Sequence, residues 1–406
     1  MRTISTTGIA WQRLCNRQLV RRRRVEETVR KIVDAVHQHG DEALLRYTRK
    51  LDRVTLTPRQ LRVTEAEISG AFQHLDPKFA LQLKSAIQNV LAFYGRPRRR
   101  PVKMLDGDGV VLGEKFDPIE RVGIYIPGGT ASLVSTVYMT VIPAKRAGVK
   151  RIILATPPRK DGSVNPHILA VASLLDVDEV YRMGGAQAIA AMAFGTKAIP
   201  KVDKIVGPGN AYVAEAKRQV FGFVDVDTIA GPSEIAVIAN RYSNAQYVLA
   251  DLLGETEHAG GIGFLITTSK ALAKLARKQV PGGYCIMVKN LEEAADVANR
   301  LAPEHLEIMV RHPHKLARRI THAGAMFLGP YSPVTVGDYI AGPSHVLPTG
   351  GSARMFSGLG TEDFIRRTHL ISYTKKALER FREPLEQLTA IEGLPRHFDS
   401  VKVRLT

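Results

Sequence analysis

Through positions 20–95, apolar residues recur at three- and four-residue intervals, the spacing of one buried helical face, and the pattern predicts mainly helices. Pro97 and Pro101 break it within a basic stretch. From about residue 120 the periodicity changes. Short runs of β-forming residues at 122–126, 151–155, 178–182, 204–206, 236–239, 263–267 and 284–288 alternate with helical segments. That alternation predicts parallel, doubly wound sheets. A tail from about 360 holds two helical stretches and ends in a strand-like run at 400–405. No short-period repeat interrupts this plan.

Composition narrows the class. A length of 406 residues implies two or three domains, and 45% apolar residues suffice for substantial cores. No apolar run reaches membrane-spanning length, and the N-terminus lacks the apolar centre of a secretory signal. Cys15 and Cys285 suggest neither a disulfide framework nor a thiolate metal site, so a reducing cytoplasm is expected. The net charge of +18 is partly local, in Arg13, Arg17 and Arg21 to Arg24, and in Arg96, Arg98 to Arg100 and Lys103. Neither cluster has interleaved aromatics and no nucleic-acid motif is present, so neither a nucleic acid nor a membrane is expected as partner. An anionic ligand such as a dinucleotide would still gain from the field.

Several polar islands carry the chemistry. Glu304 and His305 follow Pro303, which stops a helical pattern, and precede the apolar run Leu306, Ile308, Met309 and Val310. An acid beside an imidazole at such an edge can move protons near neutral pH. Tyr125-Ile126-Pro127-Gly128-Gly129-Thr130, Gly184-Gly185-Ala186-Gln187 and Gly207-Pro208-Gly209-Asn210 each sit between a strand and a helix. Glycines there let backbone N–H groups approach a phosphate at a helix N-terminus. Each alone is also ordinary turn chemistry, but three at strand ends suggest one cleft. None matches the Gly-x-Gly-x-x-Gly fingerprint. Glu255 and His258 are three apart, so on a helix they share a face. Asp338, His345, Glu392 and His397 complete the set. Two carboxylates and two imidazoles drawn from it would make a four-ligand zinc shell without cysteine, although each island alone reads better as polar residues of a turn or a helix surface.

With these residues in view, the chain resembles the histidinol dehydrogenase family from about residue 25 to 405. The resemblance rests on the turns at Tyr125 to Ala131, Gly184 to Ala191 and Lys204 to Asn210, on Ala230-Gly231-Pro232-Ser233-Glu234, and on Ala302-Pro303-Glu304-His305-Leu306. His345-Val346-Leu347-Pro348-Thr349 and Glu392-Gly393-Leu394 belong to the same set. It implies a cytoplasmic, metal-dependent, four-electron oxidation of L-histidinol to L-histidine with two NAD⁺, through an aldehyde held in the site, the last step of histidine biosynthesis. In that reading His305 is the base for hydride transfer and Glu304 activates water for the second step. Glu255, His258, Asp338 and His397 resemble the Zn²⁺ ligands, the last supplied by the other subunit of a homodimer. Those four, with Ser233, Glu304, His305, His345 and Glu392, resemble the substrate contacts. Tyr125, Gln187 and Asn210 resemble the NAD contacts.

The implied fold is α/β: two doubly wound, incomplete Rossmann-like parallel-sheet domains, an N-terminal helical segment and a small C-terminal α/β tail. The expected division is 1–124 plus 236–358 for the first domain, with base and metal ligands, 125–235 for the NAD-binding domain, and 359–406 for a tail contributing to the partner subunit's site. Three positions depart from the family pattern. Glu255 stands where glutamine is usual, which with Asp338 would neutralise Zn²⁺ formally and favour a harder ion such as Mn²⁺. The link from 259 to 303 is shorter than is typical, and Ser344 replaces a common asparagine. Two alternatives remain: a dehydrogenase of the same fold for another polar primary alcohol, such as a sulfonated diol, and a basic binding protein without activity.

Overall fold

A computed structural model describes residues 1–17, 23–95, 102–105, 107–128, 133–257 and 260–406. The chain divides into two compact units, Met1–Arg96 with Glu120–Asp363, and Pro97–Ile119 with Phe364–Thr406. The strands among the described residues are β1 (Arg2–Thr3), β2 (Val102–Leu105), β3 (Val111–Pro118), β4 (Arg121–Tyr125), β5 (Arg151–Thr156), β6 (Glu179–Arg182) and β7 (Lys204–Val206). They continue with β8 (Asp225–Val226), β9 (Glu234–Ala239), β10 (Ile262–Thr267), β11 (Tyr284–Met287), β12 (His305–Met309), β13 (Ala325–Leu328) and β14 (Ile365–Ser372).

The first unit holds two parallel sheets. One has the order β6-β5-β4-β7-β8, the other β1-β11-β10-β9-β12-β13. Apart from the edge strand β1, both follow the winding 3-2-1-4-5, a Rossmann half-turn plus two strands, so each has a switch point beside its first strand. The expected α/β, doubly wound architecture is what the chain adopts, and each β-run predicted between 122 and 288 overlaps a strand. The strands read as continuous apolar runs because helices cover both faces. β9 is buried throughout, and β12 likewise, although it carries His305 and Glu307.

In β12 the two-residue alternation divides the side chains. Leu306 and Ile308 join the core containing Phe264, Ile266, Ile286 and Leu301. Met309 joins the opposite core, formed with Val248, Leu249 and Leu252 of the helix Ala245–Glu255. His305 and Glu307, sharing the parity of Met309, therefore face that helix.

The predicted N-terminal helices are present. The helix Arg23–Tyr47 buries Val29, Ile32, Val33 and Val36 at helical spacing and bends at Gly40, where φ is 49°. It packs into the core of the β4–β8 sheet, where His37 stacks on Phe194 at 4.0 Å.

The second unit is the antiparallel sheet β14-β3-β2 and the helices Lys375–Arg380, Arg382–Ile391 and Pro395–Leu405. Here the strand predicted at 400–405 is a helix instead. Val401 and Leu405 alternate with Val403 but also sit four apart, on one helical face, and Val403 is exposed. Pro395 at the first helical position starts the helix, and Arg404 donates to the Ser400 carbonyl one turn back.

Candidate active site

A pocket in the first unit opens where the carboxyl ends of β4 and β7 face the amino ends of β9 and β12. Its lining includes Thr136, the Gly207-Pro208-Gly209 turn, Ser233, Glu304, His305, Asp338 and His345. The acid–imidazole pair thus lies at the amino edge of its own sheet, while the glycine turns lie at the carboxyl edge of the other, the usual ligand edge.

The chain reaches Glu304 through a deliberate stop. The helix Leu291–Leu301 ends at Ala302, whose φ of 46° is left-handed, and Pro303 follows. Glu304 and His305 are 7% and 4% exposed. One carboxyl oxygen of Glu304 accepts from the Ser233 hydroxyl and from the Glu234 amide, both at 2.9 Å. Burial, opposed by the His305 charge, pushes Glu304 up to about 7. Burial alone would depress His305, but the carboxylates of Glu304, Glu255 and Asp338 outweigh it and raise the imidazole to about 9.

Glu255 Oε2 stands 3.3 Å from His305 Nδ1, and Asp338 Oδ1 stands 3.9 Å from its Nε2. Glu255 is the last residue of its helix, because the Thr256 hydroxyl takes the Leu253 carbonyl and closes the turn. His258 lies outside the described residues. Glu392 and His397 belong to the second unit, where both are exposed. Among the described residues no three His, Cys, Asp or Glu side chains group as a metal site. Of the four expected ligands, the carboxylates of Glu255 and Asp338 stand on either side of the His305 ring, and both are oxygen donors of the kind a divalent cation takes.

His345 Nδ1 lies 2.8 Å from the Asp338 carbonyl, an acceptor only, so Nδ1 carries a proton. Its Nε2 meets the Thr136 hydroxyl at 3.1 Å. The Glu234 carboxylate takes a fork from Arg17 and accepts from the Gly350 amide, while Gly231 donates to the Thr349 hydroxyl. These contacts fix the 347–350 wall of the pocket. Sequence reading gave no site role to Arg17, Thr136, Glu234 or Thr349, because only the folded chain places them together.

The glycine turns are held by close backbone packing. Gly207 has φ 115°, and a Cβ there would lie 2.1 Å from the Tyr125 carbonyl oxygen. Its amide donates to Asp227, its carbonyl accepts from Lys217, and Lys217 and Asp227 form a buried ion pair. The helix Ala211–Val220 starts directly after, with Asn210 as N-cap accepting from Tyr212 and Val213. The Tyr125 hydroxyl accepts from the Gly185 amide, and burial pushes that phenol up to about 12. Gln187 is fully buried, donates to Asp52, and leaves its Oε1 without a protein partner. Tyr125 and Gln187 thus meet around Gly185, and Asn210 begins the neighbouring helix. Asp52 carried no sequence signal; burial pushes it up to about 6.

Fold and pocket together define an α/β enzyme with acid–base groups beside a glycine-lined cleft. The family model described as Histidinol dehydrogenase matches residues 15–405. A histidinol dehydrogenase of Bacillus cereus is 45% identical, over 94% of this chain and 92% of that protein. One of Listeria monocytogenes is 46% identical, over 94% and 93%. The crystal structure of histidinol dehydrogenase from Elizabethkingia anophelis superposes with a TM-score of 0.92 at 35% identity, covering 100% of this chain and 98% of that one. The chain belongs to the histidinol dehydrogenase family, and is a dehydrogenase.

Proposed function

We propose that the protein oxidises L-histidinol to L-histidine through L-histidinaldehyde held in the pocket, consuming two NAD⁺, as the last step of histidine biosynthesis in the cytoplasm. The observation that carries this reading is the buried Glu304–His305 pair on the wall of the pocket that the Gly207-Pro208-Gly209 turn also lines.

His305 accepts the proton released with each hydride. Glu304, held by Ser233 and Glu234 and raised to about 7, takes a proton from the water that adds to the aldehyde. Bound NAD⁺ supplies the hydride acceptor, with Tyr125, Gln187 and Asn210 as its contacts. Bound Zn²⁺, or Mn²⁺ given the carboxylate at Glu255, supplies a fixed positive charge that orients the substrate's nitrogens, held by Glu255, His258, Asp338 and the partner's His397. A cation held by Glu255 and Asp338 would offset two of the three carboxylates that raise His305, which suits the imidazole to the role of base. Ser233, His345 and Glu392 position the substrate; Glu392 suits a cationic group.

A homodimer belongs to the same proposal. In the second unit Ile371, Leu388, Ile391 and Val403 are 57% to 83% exposed, apolar surface that a second subunit would cover. Among the described residues no helix is long and apolar enough to cross a membrane.

The test is the stoichiometry of NADH formed from L-histidinol with added Zn²⁺ or Mn²⁺. Two NADH per histidinol are expected. Oxidation of a sulfonated diol with none of histidinol would overturn the reading.

A further inference from the structure

Beneath His305 lies a pair of acids that the proposed chemistry does not use. Glu307, two residues along β12, is 1% exposed and faces the helix Ala245–Glu255. Its carboxyl meets that of Asp251, on the same helix one turn before Glu255, and its Oε2 finds no donor among the other described residues. Burial and the charge of Asp251 push Glu307 up to about 9, and burial raises Asp251 too. Two carboxyls in an apolar interior hold together by sharing a proton, because two buried like charges in contact are prohibitively costly.

The other oxygen of Glu307 has a different task. Glu307 Oε1 accepts from the Val334 amide at 3.1 Å, and Val334 opens the short helix Val334–Tyr339. That helix carries Asp338. Its far end is held by the Tyr138 hydroxyl on the Tyr339 carbonyl and by Asn89 on the Ile340 carbonyl. Its middle lies tight on β13, where a Cβ at Gly337 would meet the Phe327 ring at 2.6 Å. Its start is tied to β12 through Glu307.

We infer that the Asp251–Glu307 acid pair is a positioning clamp, joining the helix that ends in Glu255 and the helix that carries Asp338 to the strand behind His305. One side chain reaches both elements, so the two carboxylates keep their places against the two ring nitrogens of His305. The consequence for catalysis rests on the function proposed above; the clamp itself does not. Neither residue touches the pocket, so both act through others.

Glu307→Gln and Glu307→Leu separate position from charge. Gln keeps an acceptor for Val334 and a donor for Asp251; Leu keeps bulk and loses both. Hydrogen–deuterium exchange of the full-length protein over residues 334–339, read by mass spectrometry, reports on the clamp without needing activity. For Glu307→Leu, exchange there at least tenfold faster than wild type is expected. If histidinol is turned over, kcat is expected to fall at least tenfold with KM changed less. Glu307→Gln is expected to stay within threefold of wild type on both. Wild-type exchange in Glu307→Leu overturns the proposal, as does a Glu307→Gln enzyme as impaired as Glu307→Leu. Should Glu307→Leu fail to fold, Asp251→Ala keeps the Val334 contact and removes its anchor. Faster exchange over 334–339 supports the clamp, and unchanged exchange overturns it. A wild-type protein inactive on histidinol leaves the exchange result standing and sinks only the functional reading.

Discussion

Glu304 and His305 are adjacent in sequence, yet their surroundings separate them chemically. Glu304 receives two donors on one oxygen and sits near 7, whereas His305 is ringed by carboxylates and sits near 9. Titrating groups driven apart by their environments are how a site assigns distinct acid and base roles. In the proposed reaction His305→Asn removes the base of both half-reactions, so histidinol oxidation should fall by roughly 1,000-fold. Glu304→Gln keeps an acceptor for Ser233 and Glu234 but removes the basic carboxylate. It should slow oxidation of supplied histidinaldehyde by roughly 100-fold and spare the alcohol step. Stopped-flow NADH traces with each substrate resolve the two. Equal losses on alcohol and aldehyde in Glu304→Gln would remove its assignment to the water step.

Elements explain what the sequence disclosed and what it hid. Periodicity located the parallel strands because a strand covered on both faces is an unbroken apolar run, and 204–206 needs no more than Lys204-Ile205-Val206 to be seen. The tail misled, since Val401, Val403 and Leu405 satisfy two periods at once and only the backbone contacts of Arg404 and Ser400 decide between them. Among site residues, Glu304 and His305 stood out as a local pair. Asp251, Glu307, Asp227 and Lys217 read as isolated charges, and their meaning depends on partners up to 56 residues away. The turn after β7 is a case in which the reason for a visible motif emerged only from packing. Gly207 is pinned by Asp227 and Lys217, and no room for a Cβ is left beside the Tyr125 carbonyl. Gly207→Ala must therefore push β7 from β4 or abandon the left-handed φ of 115°. A loss of ~2 kcal/mol or more in urea unfolding is expected, with NAD⁺ affinity at least tenfold weaker by fluorescence titration. Unchanged values on both would show that the turn is not the rigid element described.

At the scale of the whole molecule, Asp52 links two structural layers. It ends the helical passage from the long N-terminal helix, through the turn Thr48–Asp52, and accepts from Gln187 on the helix Gly185–Phe194 at 3.2 Å. The N-terminal helices are thereby fastened to the β4–β8 sheet by a carboxyl group as well as by the shared apolar core. Burial raises that carboxyl from 3.8 to about 6, and the Gln187 contact only partly opposes it. In the unfolded chain Asp52 regains its ordinary value, so between pH 4 and 6 the unfolded state ionises first. Ionisation then favours unfolding, and the cost to the folded state is absent below about pH 4 and complete above about pH 6. The rise corresponds to at most ~3 kcal/mol, and solvent screening of a partly exposed group brings it to ~1–2 kcal/mol. Asp52→Asn keeps an acceptor for Gln187 and cannot ionise. It should match wild type in urea unfolding at pH 3.5 to within a few tenths of a kcal/mol and exceed it by ~1–2 kcal/mol at pH 7.5. A gap that stays constant across this range would mean that Asp52 stabilises or destabilises by shape alone. A gap of opposite sign, with wild type gaining as pH rises, would mean that its carboxylate is held charged by a donor other than Gln187.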